Sequence, residues 1–323
     1  MFDRNTVDVN ENDILNYDNN LLSILLLDHS SKKNIIWATD NYSLLGKDYQ
    51  YDSLINPELI SGDNFNVIKP RSKRTETEQR IRVKDKAEVF TPSWICNLQN
   101  NIVDNTWFES ENIFNKEVEK GWQTNYEPIL FSLKNKSWKD YINDVRLEIS
   151  CGEAPYLVSR YDSVTGIYIP ISERIGLLDR KLRVVSENTS TVDEWMQLTR
   201  ISFQCIYGYD WQGDNVLLAR ENLLFTFIDY YRLKFEKEPT KDELLEIATI
   251  ISWNIWQMDG LKCVIPNSCT ETENINDGLF ESSITITKCV GCEKNTFKKH
   301  NGVHCKIKNW KSNKVILFSS LLK

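Results

Sequence analysis

Six residues near the C-terminus carry the clearest chemical pattern in the chain. Cys269 is followed, after a polar excursion, by Cys289-Val-Gly-Cys292, His300, His304 and Cys305. Two thiolates separated by two residues, with further Cys or His at loop distance, can close a tetrahedral zinc shell. The spacing Cys-x2-Cys-x7-His-x4-Cys together with Cys269 offers more candidates than the four places. Cys269, Cys289, Cys292 and Cys305 are the preferred set, with His300 as the main substitute. Buried thiols without a metal are the alternative reading. A shell of four protein ligands leaves no open position for chemistry, so such a zinc would be structural, a clip on a lysine-rich hairpin.

The second pattern lies at mid-chain, in Val145-Arg-Leu-Glu-Ile-Ser-Cys-Gly-Glu-Ala-Pro-Tyr-Leu-Val-Ser-Arg160. Val145, Leu147 and Ile149 alternate with polar residues, which predicts a short strand with one buried face. Cys151-Gly152 breaks the run, and Tyr156, Leu157 and Arg160 fall at helical spacing. Strand, tight turn and helix together bring backbone N–H groups close to a ligand at a helix N-terminus. The same pattern also fits an ordinary α/β core.

The wording is more specific than the geometry. Leu147-Glu148-Ile149-Ser150-Cys151-Gly152-Glu153-Ala154 resembles the Leu-Glu-Pro-Ser-Cys-Gly-x-Gly motif of DNA adenine-N6 methyltransferases, the first S-adenosylmethionine motif of that family. Ile149 stands for the usual proline, and Ala154 for the second glycine, which makes the turn less permissive. Upstream, Val89-Phe90-Thr91-Pro92 is similar to the family's Phe-Thr-Pro element, whose loop covers the methionine end of the cofactor. Downstream, Cys205-Ile-Tyr-Gly-Tyr-Asp210 and the Ala219-Arg-Glu-Asn-Leu223 helix resemble the second motif, whose acid accepts the ribose hydroxyls. Trp253-Asn-Ile-Trp-Gln-Met-Asp-Gly-Leu261 resembles the third, with Met258 in place of a glycine and Asp259 facing the adenine amino group. The resemblance implies S-adenosylmethionine as cofactor, with Phe90, Thr91, Pro92, Glu148, Cys151, Gly152, Asp210 and Asp259 around it. It covers roughly residues 88–261.

What the family needs for chemistry is missing. The adenine amino nitrogen is a poor nucleophile, and the family activates it with Asn-Pro-Pro-Tyr, whose oxygens accept the amino hydrogens while the ring stacks on the flipped base. The chain has eight prolines and no two adjacent, so it contains neither that motif nor its Asp or Ser variants. It resembles proteins labelled restriction endonuclease subunit M. No catalytic residue is assigned. The resemblance implies the cofactor subunit of a restriction–modification or phage-defence methyltransferase acting on DNA, with a partner chain supplying catalysis. The alternative is a catalytically inactive methyltransferase-like module that binds nucleic acid or protein.

The elements that would position these residues follow from composition. A chain of 323 residues, 41% hydrophobic, suits one large α/β domain with insertions, or two domains. The expected fold is a Rossmann-like sheet with helices on both faces, an N-terminal extension and a zinc-clipped C-terminal hairpin. The expected divisions are 1–86, 87–267 with an insertion at about 163–200, and 268–323. No apolar run has the length of a membrane span, and Met1-Phe2-Asp3-Arg4 is not a signal peptide, so a reducing cytoplasm is expected. Net charge is −7, yet Lys69 to Lys86 holds eight basic residues against three acidic ones, and Lys288 to Lys323 nine lysines against Glu293. Either segment can contact DNA phosphates or be a solvated face. Thr91, Pro92, Ile95, Leu98 and Ile102 predict a capped helix with one apolar face. Thr240 with Glu243 predicts a capping box that opens another through Leu244, Ile247 and Ile251.

Overall fold

The structure is a computed structural model and describes residues 7, 10–86, 88–132, 136–277 and 282–322. The chain start weighed as a signal peptide and Ala87 at the expected domain boundary lie outside the described residues. The fold is mixed α/β, with helices around several small sheets. The sheet that positions the candidate site has three parallel strands in sequence order, β1 (Arg146–Ile149), β2 (Ile206–Asp210) and β3 (Ile255–Gln257). Arg146 pairs with Ile206 and Glu148 with Gly208, while Gly208 faces Ile255 and Asp210 faces Gln257.

Each strand-to-strand crossover carries two helices. Leu177–Asn188 (α4) and Val192–Gln204 (α5) join β1 to β2, and Gly213–Phe235 (α6) and Lys241–Asn254 (α7) join β2 to β3. The residues read as an insertion at 163–200 therefore include crossover helices of the core. α6 is buried almost all round, and its buried polar residues Asp214, Arg220 and Asn222 are paired inside the protein. α7 opens on the expected capping box between Thr240 and Glu243.

The expectation of helices on both sheet faces needs correction. Parallel strands that follow one another in order through right-handed crossovers place their connecting helices on one side. Ile206 and Ile255 belong to the helical core. The other face carries Tyr207, Tyr209 and Trp256 against Met258 and Ile265, which follow β3, and against Cys305, Ile307 and Phe318 of the C-terminal segment. That segment contains two hairpins, Thr272–Asp277 (β4) with Ser282–Thr287 (β5), and Lys306–Asn309 (β6) with Lys314–Leu317 (β7). No strand-order reversal of the doubly wound kind occurs among the described residues.

The N-terminal residues are not a separate body. Helix α1 (Asn19–Leu26) buries Leu21, Leu22, Leu25 and Leu26 in the main core and packs on α7. Arg220 of α6 ties these parts together, donating to the carbonyls of Leu25, Leu27, Ser252 and Ile255. Helix α2 (Glu76–Lys86) precedes α3 (Ser93–Phe108).

α3 reverses the face expected of it. Leu98 and Ile102 are exposed, and the buried side is Cys96, Asn97, Asn100, Asn101, Asp104 and Phe108. A polar face can be buried only if it is paired. Arg180 from α4 donates to Asp104 (2.6 Å), Asn97 (2.9 Å) and Asn101 (2.7 Å), and the Tyr141 hydroxyl donates to Asp104. Pro92 is the N-cap itself rather than the first helical residue, and Thr91 makes no side-chain cap. The Ser93 N–H is met instead by the Asp162 carboxylate at 2.6 Å.

Candidate functional site

The turn after β1 folds differently from the strand–turn–helix pattern. Ser150, Gly152 and Ala154 have φ of 52°, 52° and 62°. Left-handed backbone at three of five successive residues interrupts the path a helix needs. A single turn follows, and the next long helix is α4. Ala154 takes the left-handed conformation in which the resembling family has glycine, and it does so fully buried.

The N–H groups of this turn are met from within the chain. Glu148 turns back from β1 and accepts from the Tyr156 and Leu157 N–H groups at 3.4 and 3.2 Å. Gly152 N–H donates to Asp210 Oδ2 at 3.0 Å, and Cys151 N–H to the Tyr209 carbonyl at 2.9 Å. The first two candidate motifs thus meet through these two hydrogen bonds as well as through the pairing of β1 with β2. Asp210 Oδ1 also accepts from Gln212 N–H at 3.0 Å. Burial pushes the Asp210 carboxyl up to about 6, against the pull of its N–H partners. Glu148 is also raised by burial, with the neighbouring Asp210 charge adding to the shift. A carboxylate offers about four lone-pair sites, so Asp210 keeps acceptor capacity beyond its backbone partners.

Phe90 lies over this turn. A Cβ built on Gly152 would sit 3.5 Å from its ring, so the side-chain-free position brings the Phe-Thr-Pro loop onto the turn. Arg71 stacks its guanidinium 5.4 Å from the Phe90 ring, and its N–H donates to Glu153 at 2.5 Å. Thr91 contributes its carbonyl, which accepts from the Ser163 hydroxyl.

Asp259 stands two residues beyond β3, at the same carboxyl end of the sheet. Its Oδ1 accepts from the Leu261 and Lys262 N–H groups at 3.0 and 3.1 Å, and Lys262 Nζ lies 3.5 Å from Oδ2. These side-chain partners belong to its own turn, and no hydrogen bond joins Asp259 to Glu148 or Asp210 among the described residues. Glu148, Asp210 and Asp259 are all buried.

Beside Asp210 lies a charge cluster that sequence reasoning missed. Asp214, in the first turn of α6, accepts from Arg82 at 2.7 Å, Arg74 at 3.4 Å and the Tyr42 hydroxyl at 2.8 Å. Glu88 pairs with the same two arginines at 3.1 and 3.2 Å, and Asn215 donates to it at 3.0 Å. Burial opposes the Asp214 charge, but the two guanidinium groups outweigh it and hold its carboxyl below the usual range. The basic segment Lys69 to Lys86, read as a phosphate contact or a solvated face, therefore turns two of its arginines inward, leaving Arg80 and Lys84 exposed. In the 163–200 region, Arg174 pairs with Asp229, Arg180 with Asp104, and Lys181 with backbone carbonyls, so these cations are buried too. The only available signal was the position of Glu88 before Phe90 and of Asp214 after Asp210.

A second cluster lies at the base of the β4–β5 hairpin. The ligand atoms of Cys269, Cys289, Cys292 and His300 all lie within 4.8 Å of one another, a group compatible with zinc. His300 Nδ1 is 3.5 Å from the Cys269 sulfur and 3.6 Å from those of Cys289 and Cys292. Cys305, preferred on spacing, is outside this group. It is buried in the C-terminal core with its thiol directed to the Gln257 carbonyl at 3.4 Å, and His300 takes the fourth place. His304 turns its Nε2 to the His300 carbonyl at 3.1 Å.

No protein-family model matches the chain, and no curated protein or solved structure matches it. No helix among the described residues is long and apolar enough to cross a membrane.

Proposed function

We propose that this chain is the S-adenosylmethionine-binding subunit of a DNA adenine-N6 methyltransferase of restriction–modification or phage-defence type, in which a partner chain supplies the catalytic motif. One observation carries the reading. The Gly152 N–H, the Asp210 carboxylate and the Phe90 ring meet at the carboxyl ends of two adjacent parallel strands. An acidic acceptor held by a backbone N–H and an aromatic face beside it are contact types an adenosyl group uses, and α/β sheets bind ligands outside that end of their strands. The requirement for a partner rests on the missing Asn-Pro-Pro-Tyr and on the β1 edge. Among the described residues β1 pairs only with β2, so its other edge has no strand partner. An unpaired edge is a place for another strand to add. Titration of S-adenosylmethionine into the full chain tests the cofactor assignment. Labelled-donor transfer to mixed-sequence DNA should stay at background without a partner, because binding the donor does not stabilise the transition state.

A second reading, a methyltransferase-like scaffold without cofactor, is favoured by Ala154 and by the engagement of Glu148 with Tyr156 and Leu157. Absence of S-adenosylmethionine binding by folded protein would select it.

A further inference from the structure

We propose that Cys269, Cys289, Cys292 and His300 bind one zinc ion in a closed tetrahedral shell that pins the C-terminal segment to the carboxyl end of β3. This inference is independent of the cofactor assignment.

The distances carry it. A tetrahedral ion with bonds of about 2.3 Å to sulfur and about 2.0–2.1 Å to nitrogen separates those ligand atoms by roughly 3.5–3.6 Å. The three sulfur-to-Nδ1 distances are 3.5, 3.6 and 3.6 Å. Hydrogen bonding does not explain them, because a ring nitrogen has one hydrogen or one lone pair and cannot serve three thiols equally. A shared ion at the centre does.

The backbone is shaped around the same point. A Cβ on Gly291, inside the Cys289-Val-Gly-Cys292 knuckle, would come within 2.6 Å of the His300 ring. A Cβ on Gly302 would come within 3.1 Å of the Cys269 sulfur and 2.5 Å of the Ser268 hydroxyl oxygen. Both glycines clear space that the ligands fill. The Asn301 N–H donates to the Cys289 sulfur at 3.3 Å, the kind of outer contact that orients a thiolate ligand.

Four protein ligands leave no place for substrate or water, so the ion's role is structural. Its mechanical reach follows from the backbone. Ile265 N–H donates to the Val303 carbonyl, Cys305 N–H to Cys263, and Asp259 N–H to Val264. The loops that bring Cys269 and His300 together are therefore the loops that hold the Asp259 turn beside β3.

Full-length protein prepared without chelator should contain one zinc per chain by elemental analysis. Cobalt(II) exchanged into the site should show tetrahedral d–d bands and thiolate charge transfer. Cys292→Ser, at the exposed ligand, should weaken zinc binding at least tenfold, the lower end of what even outer-contact losses cost, while Cys305→Ser should keep the full complement. Chelation should raise hydrogen exchange around residues 259–270 and 289–305 before α6 is affected. A folded, metal-replete preparation that holds no zinc and gives no thiolate–cobalt band overturns the proposal, even if the variants fail to fold. Equal zinc loss in Cys305→Ser and Cys292→Ser overturns the ligand set.

Discussion

The Gly152 N–H donates to the Asp210 carboxylate at 3.0 Å, joining the turn after one strand to the last residue of the next. The contact is part-buried, and it favours the ionised form in which Asp210 can accept. A protonated carboxyl is a poorer acceptor for a backbone N–H or a hydroxyl. Burial nevertheless raises this group to about 6, so its ionisation is linked to stability and to ligand affinity.

That linkage has a definite sign. Between 3.8 and about 6 the folded chain keeps a proton on Asp210 that the unfolded chain has released. Stability from this group is therefore complete at the acid side of the window and lost as pH rises through about 6. His29 acts in the opposite direction. It stacks on Trp253, and burial, aided by the Arg220 and Lys308 charges, lowers it to about 4. Its contribution is present above its ordinary value of 6.5 and lost as pH falls toward about 4. Comparing Asp210→Asn with the parent separates the two. The variant should gain relative stability by up to about 3 kcal/mol between pH 4 and 6.5, measured by denaturant unfolding across that range. A constant difference would show that Asp210 titrates normally.

Ala154 tests the strain in the turn. A non-glycine residue in the left-handed region costs roughly 1 kcal/mol or more. Ala154→Gly relieves that cost while removing a buried methyl, so it should change stability by less than about 1 kcal/mol. Ala219→Gly, buried inside α6, has no such relief and should cost about 1–2 kcal/mol. Equal losses at the two sites would contradict the left-handed assignment.

Asp214 should be among the costliest surface-remote acids to remove. Asp214→Ala leaves Arg82 and Arg74 buried with Glu88 as their remaining acid, an uncompensated charge worth about 3–5 kcal/mol. Arg80→Ala, on the exposed side of the same segment, should change stability by less than about 0.5 kcal/mol. Thermal unfolding of both variants checks the contrast.

The three strands were legible as elements, since β1 alternates and β2 and β3 are short apolar runs ending near an acid. The buried face expected of β1 was not: Val145, Leu147 and Ile149 are exposed and Glu148 is the buried residue, held by the Tyr156 and Leu157 N–H groups of the following turn. The Thr240–Glu243 capping box was legible as well, since both partners lie within one turn. The inward face of α3 was not, because its Asn and Asp residues are satisfied by Arg180, about 80 positions away. The burial of Arg74 and Arg82 was hidden for the same reason, their partner Asp214 being more than a hundred residues downstream. Spacing identified the Cys/His segment but could not choose His300 over Cys305, since only the chain path through Gln257 takes the Cys305 thiol away. The missing helix after Gly152 followed from backbone conformation at Ser150 and Ala154, residue types that seldom adopt it.

Calorimetric titration of S-adenosylmethionine into the zinc-replete full chain at neutral pH tests the central claim most directly. The expected result is one site per chain, weakened by Asp210→Ala by about 1.5–3 kcal/mol, or roughly 10- to 150-fold. Circular dichroism confirms that both proteins are folded. Folded parent protein that shows no saturable binding, or a folded Asp210→Ala variant with unchanged affinity, would contradict the placement of the cofactor between Phe90, Gly152 and Asp210.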